Sequence, residues 1–344
     1  YDLENDEISF EQRDFFEIDV NDELGLEEAA EEVKQKFLEA VKKRVPEDED
    51  LALLFSGGVD STFIAAALQE LGVDFTAYTS GIQHGNVDAP RDMDWAREVA
   101  EEMGIELETY EADLEEVEED LERITDWISS TSVVKNGVAL PFHYALKGDE
   151  KVVMSGLGSE QLYAGYHRQQ GYLNKECLSG LRNMFERDLY RDNVISFRHG
   201  YELRVPFLDH ELIEHALTIP EDYKVSDDYR KYVLRKAAEK LGVPEKVAWR
   251  GKTAAQYGSN FDKAISRLAK DKGFDHKQEY LNLLRNRTNN RLVALTSGGK
   301  DSNAALYRVS RRNNDVRCLL TLRSENRDSY MFDSRKEKSS IEEQ

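Results

Sequence analysis

The stretch Leu51–Gly72, LALLFSGGVDSTFIAAALQELG, constrains the fold more than any other part of the sequence. Leu51 to Phe55 is a short apolar run that reads as a buried parallel strand. A turn of Ser56, Gly57, Gly58, Val59, Asp60 and Ser61 follows. Thr62 to Leu71 then reads as a helix, with Phe63, Ala66, Ala67 and Leu71 at helical spacing, and Gly72 stops it. Strand, glycine turn and helix together aim backbone N–H groups and a helix N-terminus at an anion. The two glycines let the backbone approach phosphate oxygens with no Cβ in the way. Ser56 and Ser61 add hydroxyl donors. Asp60 would repel a phosphate unless a cation bridges the two. Mg²⁺ takes carboxylate and phosphate oxygens together, so a bridging Mg²⁺ removes that objection.

The Walker pattern GxxxxGK[ST] occurs nowhere in the chain. SGGVDS instead resembles the pyrophosphate loop of the N-type ATP pyrophosphatases, which cleave ATP between the α and β phosphates. That resemblance implies a doubly wound parallel α/β sheet of the PP-loop, adenine nucleotide α-hydrolase-like type. Val73 to Ser80 is the next strand, expected beside the first through a right-handed crossover. Ligands sit at the carboxyl ends of such strands, so Thr79, Ser80 and Gly81 are expected to border the nucleotide.

A second strand, glycine turn and helix lies at Lys151–Tyr166, where Lys151 to Met154 leads into SGLGSEQLYAGY. Such a turn can close over the same ligand from the other side, with Glu160 as a second carboxylate for the Mg²⁺ of Asp60. Between the two turns, Ala89–Met103 reads as a helix, Ile105–Tyr110 as a strand and Asp113–Ser129 as an acidic, solvated helix. Val138–Ala145 reads as a further buried approach to the site. His143 within it reads as a satisfied core histidine more readily than as a catalytic one. Leu26–Val45, ahead of the first strand, reads as a helix.

From Leu178 to Gln256 the pattern is mostly helical. RVPFLD at Arg204–Asp209 forms a compact turn. Lys231 and Arg235 lie one turn apart on a helix face, and Arg250 and Lys252 follow in WRGK. Release of pyrophosphate calls for cations to hold it, and these stand out in so acidic a chain. The net charge is −22, which argues against a nucleic-acid surface and reads as solvated acidity. The 344 residues, 40% of them hydrophobic, suffice for two domains or one large one. Cys177 and Cys318 match no metal pattern, and no apolar run spans a bilayer, so a cytoplasmic protein with no membrane partner is expected. The sequence starts at Tyr1 rather than Met, so it reads as a piece of a longer chain.

SGGVDS, SGLGSEQLYAGY, RVPFLD, KYVLR and WRGK stand in the order of motifs in the synthetase domain of asparagine synthetases, and the chain resembles that family over roughly Leu26–Lys270. The resemblance implies that Ser56, Gly57, Gly58, Asp60 and Ser61 hold pyrophosphate and Mg²⁺. It places Gly156 beside the nucleotide and Glu160 at the family's metal-binding aspartate. Lys231 would hold phosphate, and Lys252 would steady the transition state. The implied chemistry is attack of an aspartate β-carboxylate on the ATP α-phosphate, then displacement of AMP by ammonia. Leu157 replaces a family glutamate, and Glu160–Gln161 replaces a family Asp–Glu pair. In these turns the chain looks closer to the divergent asparagine synthetase domain-containing proteins.

The implied domains are a remnant of a preceding glutaminase-like domain at 1–20, an ATP pyrophosphatase domain at 21–270 and a linker at 271–291. No glutaminase nucleophile stands in the chain, so the nitrogen is expected as free ammonia or from a separate amidotransferase. Residues 292–344 hold a second strand and loop, SGGKDS at Ser297–Ser302, resembling the opening of the diphthine–ammonia ligase family. Two strands and a helix are too few to close a sheet. Three functions follow: asparagine formation, adenylation of another carboxylate, or ATP binding without chemistry.

Overall fold

The computed structural model describes residues 15–82, 91–226, 228–251, 258–285, 291–297, 299–310 and 314–321. Five strands form a parallel sheet in the order β3-β2-β1-β4-β5: β1 Leu51–Leu54, β2 Thr76–Ile82, β3 Leu107–Ala112, β4 Val152–Met154 and β5 Glu202–Arg204. This is a doubly wound sheet, and the strand order turns between β1 and β4, the position where such folds bind ligands. Both faces are covered. Leu51 and Leu53 enter one core, with α1 (Leu26–Lys42) and α2 (Val59–Glu70); Phe37 and Phe63 stack there at 4.1 Å. Ala52 and Val153 enter the other core, with α4 (Leu114–Trp127) and α5 (Val133–Ala145). The period-2 split of apolar strand residues between two cores is what a fully buried parallel sheet requires.

Among the described residues, further helices are α3 (Arg91–Met103), α6 (Ser159–Leu162), α7 (Leu173–Arg182), α8 (Tyr190–Arg198), α9 (His210–Thr218), α10 (Tyr232–Lys240) and α11 (Glu245–Ala248), with others at Phe261–Asp271 and Lys277–Leu284. The acidic helix α4 is closed by a capping box. Asp113 accepts from the Glu116 N–H at 2.8 Å, and the Glu116 carboxylate accepts from the Asp113 N–H at 2.9 Å. Val138–Ala145 is the second half of a helix, and its His143 is buried. His143 Nε2 lies 3.1 Å from Asp120 Oδ2, and His143 Nδ1 lies 2.9 Å from His199 Nε2. That is the satisfied core histidine the sequence suggests.

Burial pushes the His143 pKa down, and burial followed by the nearby His143 and Lys147 pushes His199 down to about 4. The unfolded chain titrates near 6.5, so it binds more protons than the folded chain as pH falls below that value. The pair's contribution is therefore complete above about pH 6.5 and is lost toward pH 4. We expect His199→Gln to flatten the fall of the thermal midpoint between pH 7 and 5. Identical slopes for variant and parent would contradict this.

Residues 15–20 form no strand, and residues 1–14 lie outside those described. At the far end β6 (Arg291–Leu295) and β7 (Asp315–Leu320) pair in parallel as a separate two-stranded sheet, with a helix at Lys300–Ser310 between them that buries no side chain. This matches the strand, helix and strand expected there. Among the described residues no helix is long and apolar enough to cross a membrane.

Candidate active site

The glycine loop leaves β1 at its carboxyl end. Gly57 has φ +65°, a left-handed backbone that suits glycine. Gly58 precedes α2 without any side-chain cap, so the first N–H groups of a 12-residue helix are left for a ligand. Ser61 Oγ accepts from the Ser56 N–H at 3.2 Å and donates to the Gly58 carbonyl at 3.2 Å, which fixes the loop. The helix starts at Val59, three residues before the sequence pattern suggests, and this sets Asp60 and Ser61 in its first turn.

The turn after β4 lies against this loop. A Cβ at Gly156 would come 3.0 Å from Asp60 Cβ. Gly158, at φ +111°, rests on Phe207 and Leu208 of the RVPFLD segment. Asp209 of that segment is tied to Arg44 at 2.9 Å and Lys43 at 3.3 Å. RVPFLD thus props the second turn from behind, and the edge strand β5 just before it has no counterpart in the sequence reading.

Lys231 joins the two turns. It is 2% exposed, stands at the N-terminus of α10 with φ +59°, and its Nζ donates to Asp60 Oδ1 and Oδ2, both at 2.8 Å, and to Glu160 Oε1 at 2.7 Å. Two carboxylates from separate strand ends therefore share one buried ammonium. A non-glycine residue held at positive φ is costly and clusters at functional sites. Ala164, at φ +54° in the turn after α6, is another. A Cβ at Gly165 would strike the Glu160 carboxylate and lie 3.0 Å from its Cα. Gly165→Ala should displace that carboxylate and slow turnover by about 10- to 100-fold, since misplacement of about 1 Å costs that much. An unchanged rate would contradict the placement.

The other expected residues are distributed differently. Lys252 lies outside the described residues. Gly81 is buried next to the last residue of β2, paired with Glu111. Ser80 is buried and donates to the Pro141 carbonyl at 2.7 Å. Thr79 is buried in β2, paired with Thr109 of β3 and one residue past Tyr78, which is level with Leu54 at the end of β1. β2 runs on to Ile82, three residues past Thr79. Arg235 spends its guanidinium on the carbonyls of Arg230, Ala248 and Arg250, a structural role. Gln161, 1% exposed, donates to Asp188 at 3.3 Å and to Tyr166 Oη at 3.4 Å. A glutamate there would face the Asp188 carboxylate. Sequence reasoning missed Trp95, whose indole N–H donates to the Gly57 carbonyl at 2.8 Å; nothing local to Trp95 signals it.

The site suits Mg²⁺. Asp60 and Glu160 supply hard oxygens, and the shared Lys231 marks a place that demands positive charge. Among the described residues no cluster of three or more metal-binding side chains occurs.

Sheet order, the glycine loop at the carboxyl end of β1 and the carboxylate–lysine cluster make a doubly wound α/β domain with a loop of the kind that takes anions. The family model Asparagine synthase matches residues 32–179 and 167–311, and the chain belongs to that family. The Diphthamide synthase N-terminal domain matches residues 290–338. A Methanocaldococcus jannaschii protein of asparagine synthetase type, glutamine-hydrolysing, is 31% identical over 78% of this chain and 57% of its own length. The human asparagine synthetase, glutamine-hydrolysing, is 32% identical over 64% of this chain and 42% of its own length. The chain thus spans about half the length of these relatives. The solved NMN synthetase of Francisella tularensis has 16% identity and a TM-score of 0.36 over 76% of this chain and 94% of its own.

Proposed function

We propose that this chain is an amide ligase that adenylates a carboxylate with Mg-ATP and passes the acyl group to ammonia, releasing AMP and pyrophosphate. The observation that carries the reading is the meeting of Asp60, Glu160 and Lys231, from three distant segments, over the glycine loop. By family membership the default acceptor is the aspartate β-carboxylate. A carboxylate is a poor electrophile, and adenylation supplies a leaving group. The loop N–H groups and the N-terminus of α2 would hold the phosphates leaving as pyrophosphate. Lys231 would offset charge that grows on them as the α–β bond breaks, which is where a cation is worth most. Asp60 and Glu160 would hold Mg²⁺, which would supply charge neutralisation across the phosphates. Lys252 is proposed as a second cation at the transition state. Ammonia, free or delivered by an amidotransferase, would displace AMP.

Leu157 and Gln161 favour a second reading, adenylation of a different carboxylate. Both sit in the turn that carries Glu160, and the Gln161 amide donates to the Asp188 carboxylate. One assay separates the two. With Mg-ATP and ammonium, aspartate should drive release of AMP and pyrophosphate. Activity with another acid alone would select the second reading, and no release with any acid would reject both.

A further inference from the structure

Arg250 lies beside the glycine loop with most of its donors unspent. Its guanidinium sits 4.2 Å over the ring of Trp95, and its ion pair among the described residues is a loose one, to Asp92 Oδ1 at 3.9 Å. Its backbone carbonyl is fixed from behind by Arg235 at 3.1 Å. Trp95, on α3, packs against the core around α2 and gives its indole N–H to the Gly57 carbonyl. The contact is close: a Cβ at Gly57 would come 2.9 Å from Trp95 Cδ1. The second cation near this ring, Lys246 at 5.6 Å, is already held by Glu98 at 2.5 Å and Glu102 at 2.8 Å. Arg250 is thus the cation over Trp95 with donors to give, and its planar fork suits a phosphate group.

We infer that Arg250 binds the pyrophosphate end of the nucleotide and that Trp95 is the positioning residue coupling it to Gly57. One indole does both jobs: its face orients the guanidinium, and its edge pins the carbonyl of the residue whose backbone turns toward phosphate. The inference rests on the nucleotide reading of the site given above.

Calorimetry with inorganic pyrophosphate plus Mg²⁺, and separately with AMP, tests it on the full chain. Arg250→Ala should weaken pyrophosphate binding by about tenfold or more while AMP binding stays within about twofold, because the lost bonds are charge-assisted and local. Arg250→Lys should recover part of the loss. Trp95→Ala should weaken pyrophosphate comparably, and the double variant should be no weaker than the worse single one, since coupled residues are not additive. Trp95→Phe keeps the face and loses the N–H, so it should fall between parent and Trp95→Ala. Parental pyrophosphate affinity in Arg250→Ala, equal loss of both ligands, or strict additivity would overturn the inference. Parental protein that binds neither ligand would overturn the nucleotide reading itself, and this inference with it.

Discussion

Replacing Lys231 with methionine is expected to slow ATP–pyrophosphate exchange by about 10²- to 10³-fold, the usual cost of removing one preorganised charge partner. The same change should lower stability by about 3 kcal/mol, because it removes the positive half of a buried ion pair. The physical reason is the triad itself. Asp60 and Glu160 are only 19% and 10% exposed, and both rest on this ammonium. Without it the two carboxylates face each other with little water between them. Lys231→Gly would separate charge from backbone: it relieves the left-handed strain at φ +59° but still removes the ammonium, so exchange should stay slow. Exchange within a few-fold of the parent in either variant would remove Lys231 from the reaction.

Asp60→Asn is the second large effect, and its pattern differs. Lys231 keeps Glu160 at 2.7 Å, so the fold should lose only about 1 kcal/mol, the scale of one hydrogen bond. Catalysis should suffer far more. Asp60 stands in the first turn of α2, beside the N–H groups offered to phosphate, and an amide there cannot balance a divalent cation. We expect turnover with saturating ATP to fall by about 10³-fold, in line with several kcal/mol of lost charge stabilisation. The Mg²⁺ dependence of ATP binding should flatten in the same variant. Retention of a steep Mg²⁺ dependence would move the metal role elsewhere.

Local chemistry made the two glycine turns legible, because strand, glycines and helix are contiguous in the chain. Asp60 and Glu160 could be paired from the sequence for the same reason: each sits at a fixed offset from its own turn. Lys231 was identified by motif, but its position between the two carboxylates is a tertiary fact, 71 residues from Glu160. The sequence reading ends the second strand at Ser80, whereas pairing with β3 extends β2 to Ile82, because strand ends depend on the neighbour. The edge strand β5 is three residues long and carries too little pattern to be read. Trp95 reads as one more apolar position on an amphipathic helix, and only the packing of α3 against the loop gives its indole a partner 38 residues away.

The path of one oxygen atom tests the account most directly. The acceptor carboxylate is labelled with ¹⁸O and incubated with Mg-ATP, ammonium and the protein, and the nucleotide product is read by ³¹P NMR. Attack on the α-phosphate predicts AMP carrying one ¹⁸O from the acid, with unlabelled pyrophosphate. Label in orthophosphate alongside ADP, or unlabelled AMP, would contradict it.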